Sequence, residues 1–232
     1  MKMIGLIGGM SWQSTAQYYR LLNEGVAARR GGNASARCLL WSFDFAEIAG
    51  LQAAGDWAGL TRRMIAAARS LEAGGAELLL ICANTMHLMA NEVQSAVGVP
   101  LLHIADATAA RIKAAGIGKV GLLGTAYTME KPFYRGRLAE RHGLEVVIPG
   151  DADRAEAHRL IYAELTAGMV TDEARVAFRA IIARLVAAGA EGVILGCTEL
   201  MLVVGEADSA VPLFDTATIH AEAALAMAVE EQ

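Results

Sequence analysis

Gly75-Ala76-Glu77-Leu78-Leu79-Leu80-Ile81-Cys82-Ala83-Asn84-Thr85 and Gly189-Ala190-Glu191-Gly192-Val193-Ile194-Leu195-Gly196-Cys197-Thr198-Glu199 are two versions of one phrase. Each opens on Gly-Ala-Glu, runs through apolar residues to a cysteine, and continues into residues that hydrogen-bond. Cys82 and Cys197 lie 115 positions apart in a chain of 232. Working outward, Ile4-Gly5-Leu6-Ile7-Gly8 returns as Val120-Gly121-Leu122-Leu123-Gly124, and Val99-Pro100-Leu101-Leu102 returns as Val211-Pro212-Leu213-Phe214. Echoes at nearly one offset indicate two related halves. Each half carries one of the two thiols in a matching place. Two like groups facing one carbon across a pseudo-twofold axis suit one chemistry, the removal of a proton from one face and its return on the other.

Short apolar runs alternate with helical patterns along the whole chain. Strands are expected over residues 3–7, 38–43, 77–82, 99–104, 119–123, 145–148, 192–195 and 211–214. Helices are expected over 11–29, 56–72, 85–97, 106–115, 128–142, 154–166, 172–188, 198–204 and 216–230. Near-continuous apolar strands separated by helices predict α/β architecture, with parallel sheets covered on both faces. The repeat predicts two pseudo-symmetric domains.

Hydrophobic residues make up 55% of the chain and charged residues 19%, which excludes a disordered protein. The net charge is −5 and the basic residues are scattered, so no basic stripe marks nucleic acid as a partner. The apolar runs fall well short of the roughly 20 residues that a membrane span requires. The N-terminal segment lacks a signal-peptide pattern, and a cytoplasmic enzyme is the expectation. Three cysteines with no C-x-x-C spacing point to free thiols and away from a structural metal site. Gly116-Ile117-Gly118-Lys119-Val120-Gly121 spells G-x-G-x-x-G, but it follows a helix and leads into a strand. The dinucleotide motif requires the reverse order, so this segment is read as a helix stop.

In open parallel sheets, ligands bind beyond the carboxyl ends of the strands. Cys82, Cys197, the Gly8-Gly9-Met10-Ser11 stretch and the Gly124-Thr125-Ala126-Tyr127 stretch all fall there. Each thiol precedes an expected helix N-terminus, which would lower its pKa below the ordinary value of about 8.5. Backbone N–H groups there, with Asn84, Thr85 and Thr198, could hold a substrate carboxylate. A single buried cysteine is equally well read as a small core residue; two in repeated positions favour chemistry. Cys38 has no counterpart and is assigned to core packing. His87 is read as a partly exposed helix residue, His103 as a strand-end residue within reach of the cleft, and His158 and His220 as helix residues without a role. Glu199 either assists proton transfer or supports a first helical turn. Asp106 and Asp215 are read as helix caps.

Gly5-Leu6-Ile7-Gly8-Gly9-Met10-Ser11-Trp12, Cys82-Ala83-Asn84-Thr85-Met86-His87, His103-Ile104-Ala105-Asp106-Ala107-Thr108 and Gly196-Cys197-Thr198-Glu199 together resemble the signatures of the aspartate/glutamate racemase family. The similarity covers essentially the whole chain. It implies amino-acid racemisation, yielding D-amino acids, without pyridoxal phosphate, metal or nucleotide. It implies an active site in the cleft between two α/β domains, and commonly a homodimer. The family pattern returns the last strand and helix to the first domain, giving boundaries of 1–98 plus 210–232 and 99–209.

By the same resemblance, Cys82 and Cys197 are the two acid/base residues, one thiolate and one thiol exchanging roles with the enantiomer. Met10, Gln52, Ala83, Asn84, Thr85 and Thr198 are the matching substrate-binding positions, with Thr125 and Tyr127 as symmetry-related candidates. Aspartate-selective members carry a basic residue in the loop after the second strand, where this chain has Phe45-Ala46-Glu47-Ile48. They carry a lysine where this chain has Thr166. Gln52 and Thr166 therefore suit an uncharged polar side chain, and broader specificity is expected. A one-cysteine decarboxylase or diacid isomerase, and a binding protein without turnover, are the alternatives.

Overall fold

The computed structural model describes residues 1–229. Two parallel four-stranded sheets carry the fold. The first contains β1 (Ile4–Gly8), β2 (Cys38–Ser42), β3 (Leu78–Ile81) and β4 (Leu101–Leu102) in the order β2-β1-β3-β4. The second contains β5 (Lys119–Gly124), β6 (Glu145–Val147), β7 (Gly192–Gly196) and β8 (Leu213–Asp215) in the order β6-β5-β7-β8. The two orders are the same, so the repeat read from the sequence is a repeat of topology. All residues of β1, β3 and β7 are buried. This is why these strands read as unbroken apolar runs: helices cover both faces and no alternation is needed.

The chain divides into two compact units, Met1–His103 together with the chain from His220 onward, and Ile104–Ile219. These limits differ from the expected ones at both crossings. Leu101–Leu102 pairs with Leu79–Leu80, which puts β4 in the first sheet. Val193–Leu195 pairs with Leu213–Asp215, which keeps β8 in the second. The crossing falls within α10 (Thr216–Ala228), which joins the first unit from His220 onward. The expected end of that helix at 230 lies outside the described residues.

In the first unit, α1 (Trp12–Arg30) starts at Ser11, whose hydroxyl accepts the Ser14 N–H at 3.4 Å. A helix not anticipated from sequence, α2 (Phe45–Ala53), replaces the expected loop after β2. Asp44 caps it by accepting from the Ala46 N–H at 2.9 Å. Glu47 on this helix is exposed and pairs with Arg63 of α3 (Trp57–Ala73). The segment after β3 is a 3-10 turn, Thr85–Met89, followed by α4 (Ala90–Ser95), and not one helix over 85–97.

A buried histidine cluster ties this unit together, contrary to the expectation of one partly exposed and one idle histidine. His87, His103 and His220 are 2%, 5% and 0% exposed. The His87 ring lies 4.7 Å from His103 and 5.7 Å from His220 between centroids. The His220 Nε2–H donates to the Leu102 carbonyl at 3.0 Å, so its Nδ1 accepts the Tyr18 hydroxyl at 2.9 Å. These bonds use the neutral ring. Burial, with His87 alongside, pushes the His220 pKa down to about 3 from 6.5. The unfolded chain therefore binds a proton here that the folded chain does not, and stability falls as pH drops from 6.5 towards 3. The limiting slope for one proton is about 1.4 kcal/mol per pH unit. Urea denaturation from about pH 7.5 to about pH 5 is expected to show this loss, and His220→Gln to flatten it. Equal slopes in the two proteins would remove His220 as its source.

In the second unit, α5 (Ile104–Ala114) ends at Gly116, whose φ of 73° suits glycine, and the chain then enters β5. The G-x-G-x-x-G string is therefore a helix stop. The expected helix over 128–142 is two helices, α6 (Ala126–Glu130) and α7 (Pro132–His142), because Pro132 occupies the first turn of the second. Asp106 is the third residue of α5, inside its first turn and not at the cap position. Its carboxylate takes two bonds from Arg137, at 2.6 Å each, and lies 2.9 Å from His142 Nε2, joining α5 to α7. Asp215 does cap α10, accepting from the Ala217 N–H at 3.1 Å. The second unit is completed by α8 (Asp151–Ala163), a turn at Leu165–Ala167, and α9 (Asp172–Ala187). The expected helix over 198–204 is a single 3-10 turn, Leu200–Leu202. Among the described residues, no helix is long and apolar enough to cross a membrane.

Candidate active site

Each unit presents one buried thiol immediately beyond a central strand of its sheet. In the first, the Cys82 N–H donates to the Ile7 carbonyl at 2.9 Å, extending the β1–β3 ladder by one residue. The Cys82 carbonyl accepts the Ser14 hydroxyl at 3.3 Å. The backbone is thus held on both sides while the thiol is fully buried. Met10, Gln52, Ala83, Asn84 and Thr85 are all buried with it. The Gln52 amide, carried by α2, reaches Met86 Sδ at 3.5 Å, which places Gln52 beside the turn after Cys82. The His87 Nδ1–H donates to the Ala83 carbonyl at 2.9 Å and fixes that peptide.

The loop after β1 lies over the same sheet edge. Gly9 has φ of 82°, and a Cβ on it would stand 2.3 Å from both the backbone N and O of Phe43. Its N–H donates to Thr15 Oγ1 at 2.9 Å, and the Thr15 hydroxyl donates onward to the Ser11 carbonyl at 2.9 Å. The glycine pair therefore brings the β1 and β2 loops into backbone contact.

In the second unit, Gly124 and Gly196 stand opposite each other at the ends of β5 and β7. A Cβ on Gly124 would meet the Gly196 carbonyl oxygen at 2.8 Å. Cys197 follows. Its Sγ–H donates to Glu199 Oε2 at 3.0 Å, and the Thr198 hydroxyl donates to the same oxygen at 2.8 Å. Cys197, Thr198 and Glu199 are 8%, 7% and 3% exposed. The Thr198 proton is thus committed to Glu199 in this arrangement, where a substrate contact was expected. Thr125 caps α6, accepting the Thr128 N–H at 3.3 Å. Thr166 donates its hydroxyl to the Tyr162 carbonyl at 3.0 Å, one turn back in its own segment. Its only hydroxyl proton is therefore turned towards the backbone.

In the aromatic group beside the second thiol, Tyr127 is the symmetry-related candidate of the sequence, whereas His158 and Tyr162 carry no sequence signal for this site. The His158 ring lies 5.6 Å from Tyr127 and 4.7 Å from Tyr162. The Ala126 N–H donates to His158 Nδ1 at 3.3 Å, so this ring also serves as the neutral form. Burial lowers its pKa. Burial raises that of the Tyr162 phenol, helped by Tyr127, Cys197 and Glu199. Tyr162 stays a neutral phenol within electrostatic reach of the thiol. The helix pattern of 154–166 carried no sign of which face would meet Cys197.

The thiols themselves depart from expectation. Burial pushes both up, Cys82 with a further contribution from Cys38, and Cys197 with one from the Glu199 charge. A depressed pKa would need a helix N-terminus with several aligned peptides. The elements that follow begin as 3-10 segments, Thr85–Met89 and Leu200–Leu202, and desolvation outweighs them. Cys38 is half-buried on an edge strand and not in the core.

Residues 7–224 match the family described as Asp/Glu/hydantoin racemase. The fold is similar to that of a Yersinia pestis protein assigned as an Asp/Glu racemase. The two share 53% identity over 99% of this chain and 100% of that one, with a TM-score of 0.92. It is also similar to an aspartate racemase homologue from Pyrococcus horikoshii OT3, at 39% identity over 99% and 100% of the two chains and a TM-score of 0.84. At 21% identity, the aspartate racemase of Picrophilus torridus shares the fold over 98% of this chain and 94% of its own, with a TM-score of 0.76. With the family match extending across both sheets and both cysteine segments, the chain belongs to the Asp/Glu/hydantoin racemase family.

Proposed function

We propose that this protein is a cofactor-independent amino-acid racemase in which Cys82 and Cys197 act on opposite faces of one substrate Cα. The observation that carries the reading is the matched placement of the thiols. Each is buried, and each directly follows the apolar strand that lies next to the glycine-ended strand of its sheet. One sulfur accepts the Cα proton as thiolate while the other delivers its own proton to the far face. For the other enantiomer the direction reverses. The bond broken is Cα–H and the bond formed is Cα–H, so no oxidant or reductant is consumed. Removing this proton loads charge onto the substrate carboxylate. Fixed N–H groups of the loops after β1, β3 and β7, with Asn84 and Thr85, are suited to holding that charge.

The reading extends to broad specificity. The Phe45–Ile48 stretch contributes no cation, and its Glu47 is turned outward to Arg63. Gln52 is buried beside Met86 and supplies a neutral hydrogen-bonding group. Thr166, with its hydroxyl given to Tyr162, supports this reading less than Gln52 does. A cytoplasmic homodimer acting on free amino acids completes the proposal.

The test is a panel of single L- and D-amino acids incubated with the protein in deuterated water. Loss of optical activity with deuterium at Cα is the expected result, and neutral polar amino acids are expected to turn over at least as well as aspartate. Strict aspartate specificity would overturn the specificity reading. An absence of turnover across the panel would overturn the racemase.

A further inference from the structure

We propose that His87 is a positioning residue for the Cys82 half-site, its ring clamping the turn that carries the thiol to the two places where the chain leaves and re-enters the first unit. Consecutive peptides after Cys82 are held by side-chain donors. The Cys82 carbonyl accepts the Ser14 hydroxyl at 3.3 Å, and the Ala83 carbonyl accepts the His87 Nδ1–H at 2.9 Å. An α-helical turn would bring the His87 backbone N–H to the Ala83 carbonyl. The tighter turn found here takes that N–H to the Asn84 carbonyl instead, at 3.1 Å. Ala83 is buried, and the ring supplies the donor that its carbonyl then needs. A peptide is planar and trans, so a carbonyl drawn to the ring sends the Asn84 N–H to the opposite side.

The second half shows what the ring adds. At the offset that relates the two cysteines, His87 corresponds to Leu202, whose N–H closes on the Glu199 carbonyl at 3.0 Å. The turn therefore forms without a histidine, and Leu202 is exposed where His87 is buried. What the ring does lies beyond the turn. It packs against the rings of His103 and His220, at 4.7 and 5.7 Å between centroids. The first unit breaks off at His103 and resumes at His220. His220 is fixed in its turn by the Leu102 carbonyl of β4 and the Tyr18 hydroxyl of α1. The thiol-bearing turn is thus locked onto both crossing points, and a site is held to its geometry by such a supporting layer. That the aimed N–H groups serve a substrate carboxylate rests on the racemase reading; the clamp on the Cys82 turn does not.

The experiment is iodoacetamide alkylation of the substrate-free protein, with the Cys38, Cys82 and Cys197 peptides quantified separately by mass spectrometry. His87→Leu installs the residue that the second half uses; it fills the space of the ring and donates nothing. His87→Asn is smaller but places a side-chain N–H near the Nδ1 position. His87→Leu is expected to free the turn and raise the Cys82 rate about tenfold, the scale of one buried polar group left unpaired. Cys38, on an edge strand of the same sheet, and Cys197, in the other sheet, are expected to stay within about twofold. His87→Asn is expected to return Cys82 to within about threefold of wild type. A ring that only filled space would give the reverse order, with leucine the milder change. In turnover, His87→Leu is expected to lower kcat about tenfold with KM within about threefold, because the aimed N–H groups act most on charge that develops in the transition state. His87→Asn is expected to recover most of that loss. Should His87→Leu fail to fold, His103→Ala withdraws support from the ring and is expected to raise Cys82 in the same selective way. An unchanged Cys82 rate in the variant that folds, or a parallel rise at Cys38, would overturn the clamp and leave the two-thiol racemase standing. A Cys82-selective rise rescued by asparagine, with no racemisation of any amino acid, would leave the clamp intact and remove the racemase.

Discussion

Cys82→Ser and Cys197→Ser are each expected to lose racemase activity by about 1,000-fold or more, the scale of a lost acid/base group. The hydroxyl of serine is far less acidic than a thiol and gains no charge at neutral pH in a buried site. The two variants are not expected to fail identically. With one sulfur left, the proton can still leave and return on a single face. Cys197→Ser is therefore expected to retain deuterium exchange into the enantiomer that Cys82 serves, without inversion. Cys82→Ser is expected to retain it for the opposite enantiomer. Optical rotation and mass shift, measured together in deuterated water, separate exchange from inversion. Racemisation within about tenfold of wild type in either variant would end the two-thiol mechanism. Both side chains are small and buried, and serine is of similar size, so thermal unfolding should move little.

Gly9→Ala is expected to cost about 3 kcal/mol of folding stability, because it combines a backbone penalty at positive φ with a clash. The φ is 82°, and the new methyl would stand 2.3 Å from the Phe43 N and O. Those are backbone atoms, so no rotamer change relieves the contact. Separating the loops also loosens the Gly9 N–H bond to Thr15. Urea denaturation of the variant against wild type gives the number. A change below about 1 kcal/mol would mean that the β1 and β2 loops part easily. Activity should fall with it, since Met10 sits on the same loop.

The parallel strands were legible because burial on both faces writes itself as unbroken apolar sequence, as in Leu78–Ile81 and Gly192–Gly196. The repeat was legible because the cysteines are fixed to the ends of such strands. The edge strands β4 and β8 are the ones the family pattern assigns to the wrong units. At two and three residues each, they carry no pattern that names a partner. Helix α2 was read as a loop because only Ile48 and Gln52 of its residues are buried, too few to show a helical period. Its signal was Asp44 at the cap position. The thiol environment is a tertiary property: the sequence placed Cys82 and Cys197 before helical turns, but not the number of atoms that close over them. The Glu199 contact was within sight of the sequence, two residues from its cysteine, whereas the Tyr162 approach was not.

The late return of α10 to the first unit has a consequence for synthesis. Tyr18 meets His220, Leu225 closes against Gly25, and the Lys2 N–H donates to the Ala228 carbonyl at 2.9 Å. A nascent chain emerging from the ribosome therefore holds an incomplete N-terminal half until α10 has been made. The half that is translated second has all its strands before the first can bury its last helix. Maturation should run in the reverse of reading order, with the N-terminal half the later of the two to close.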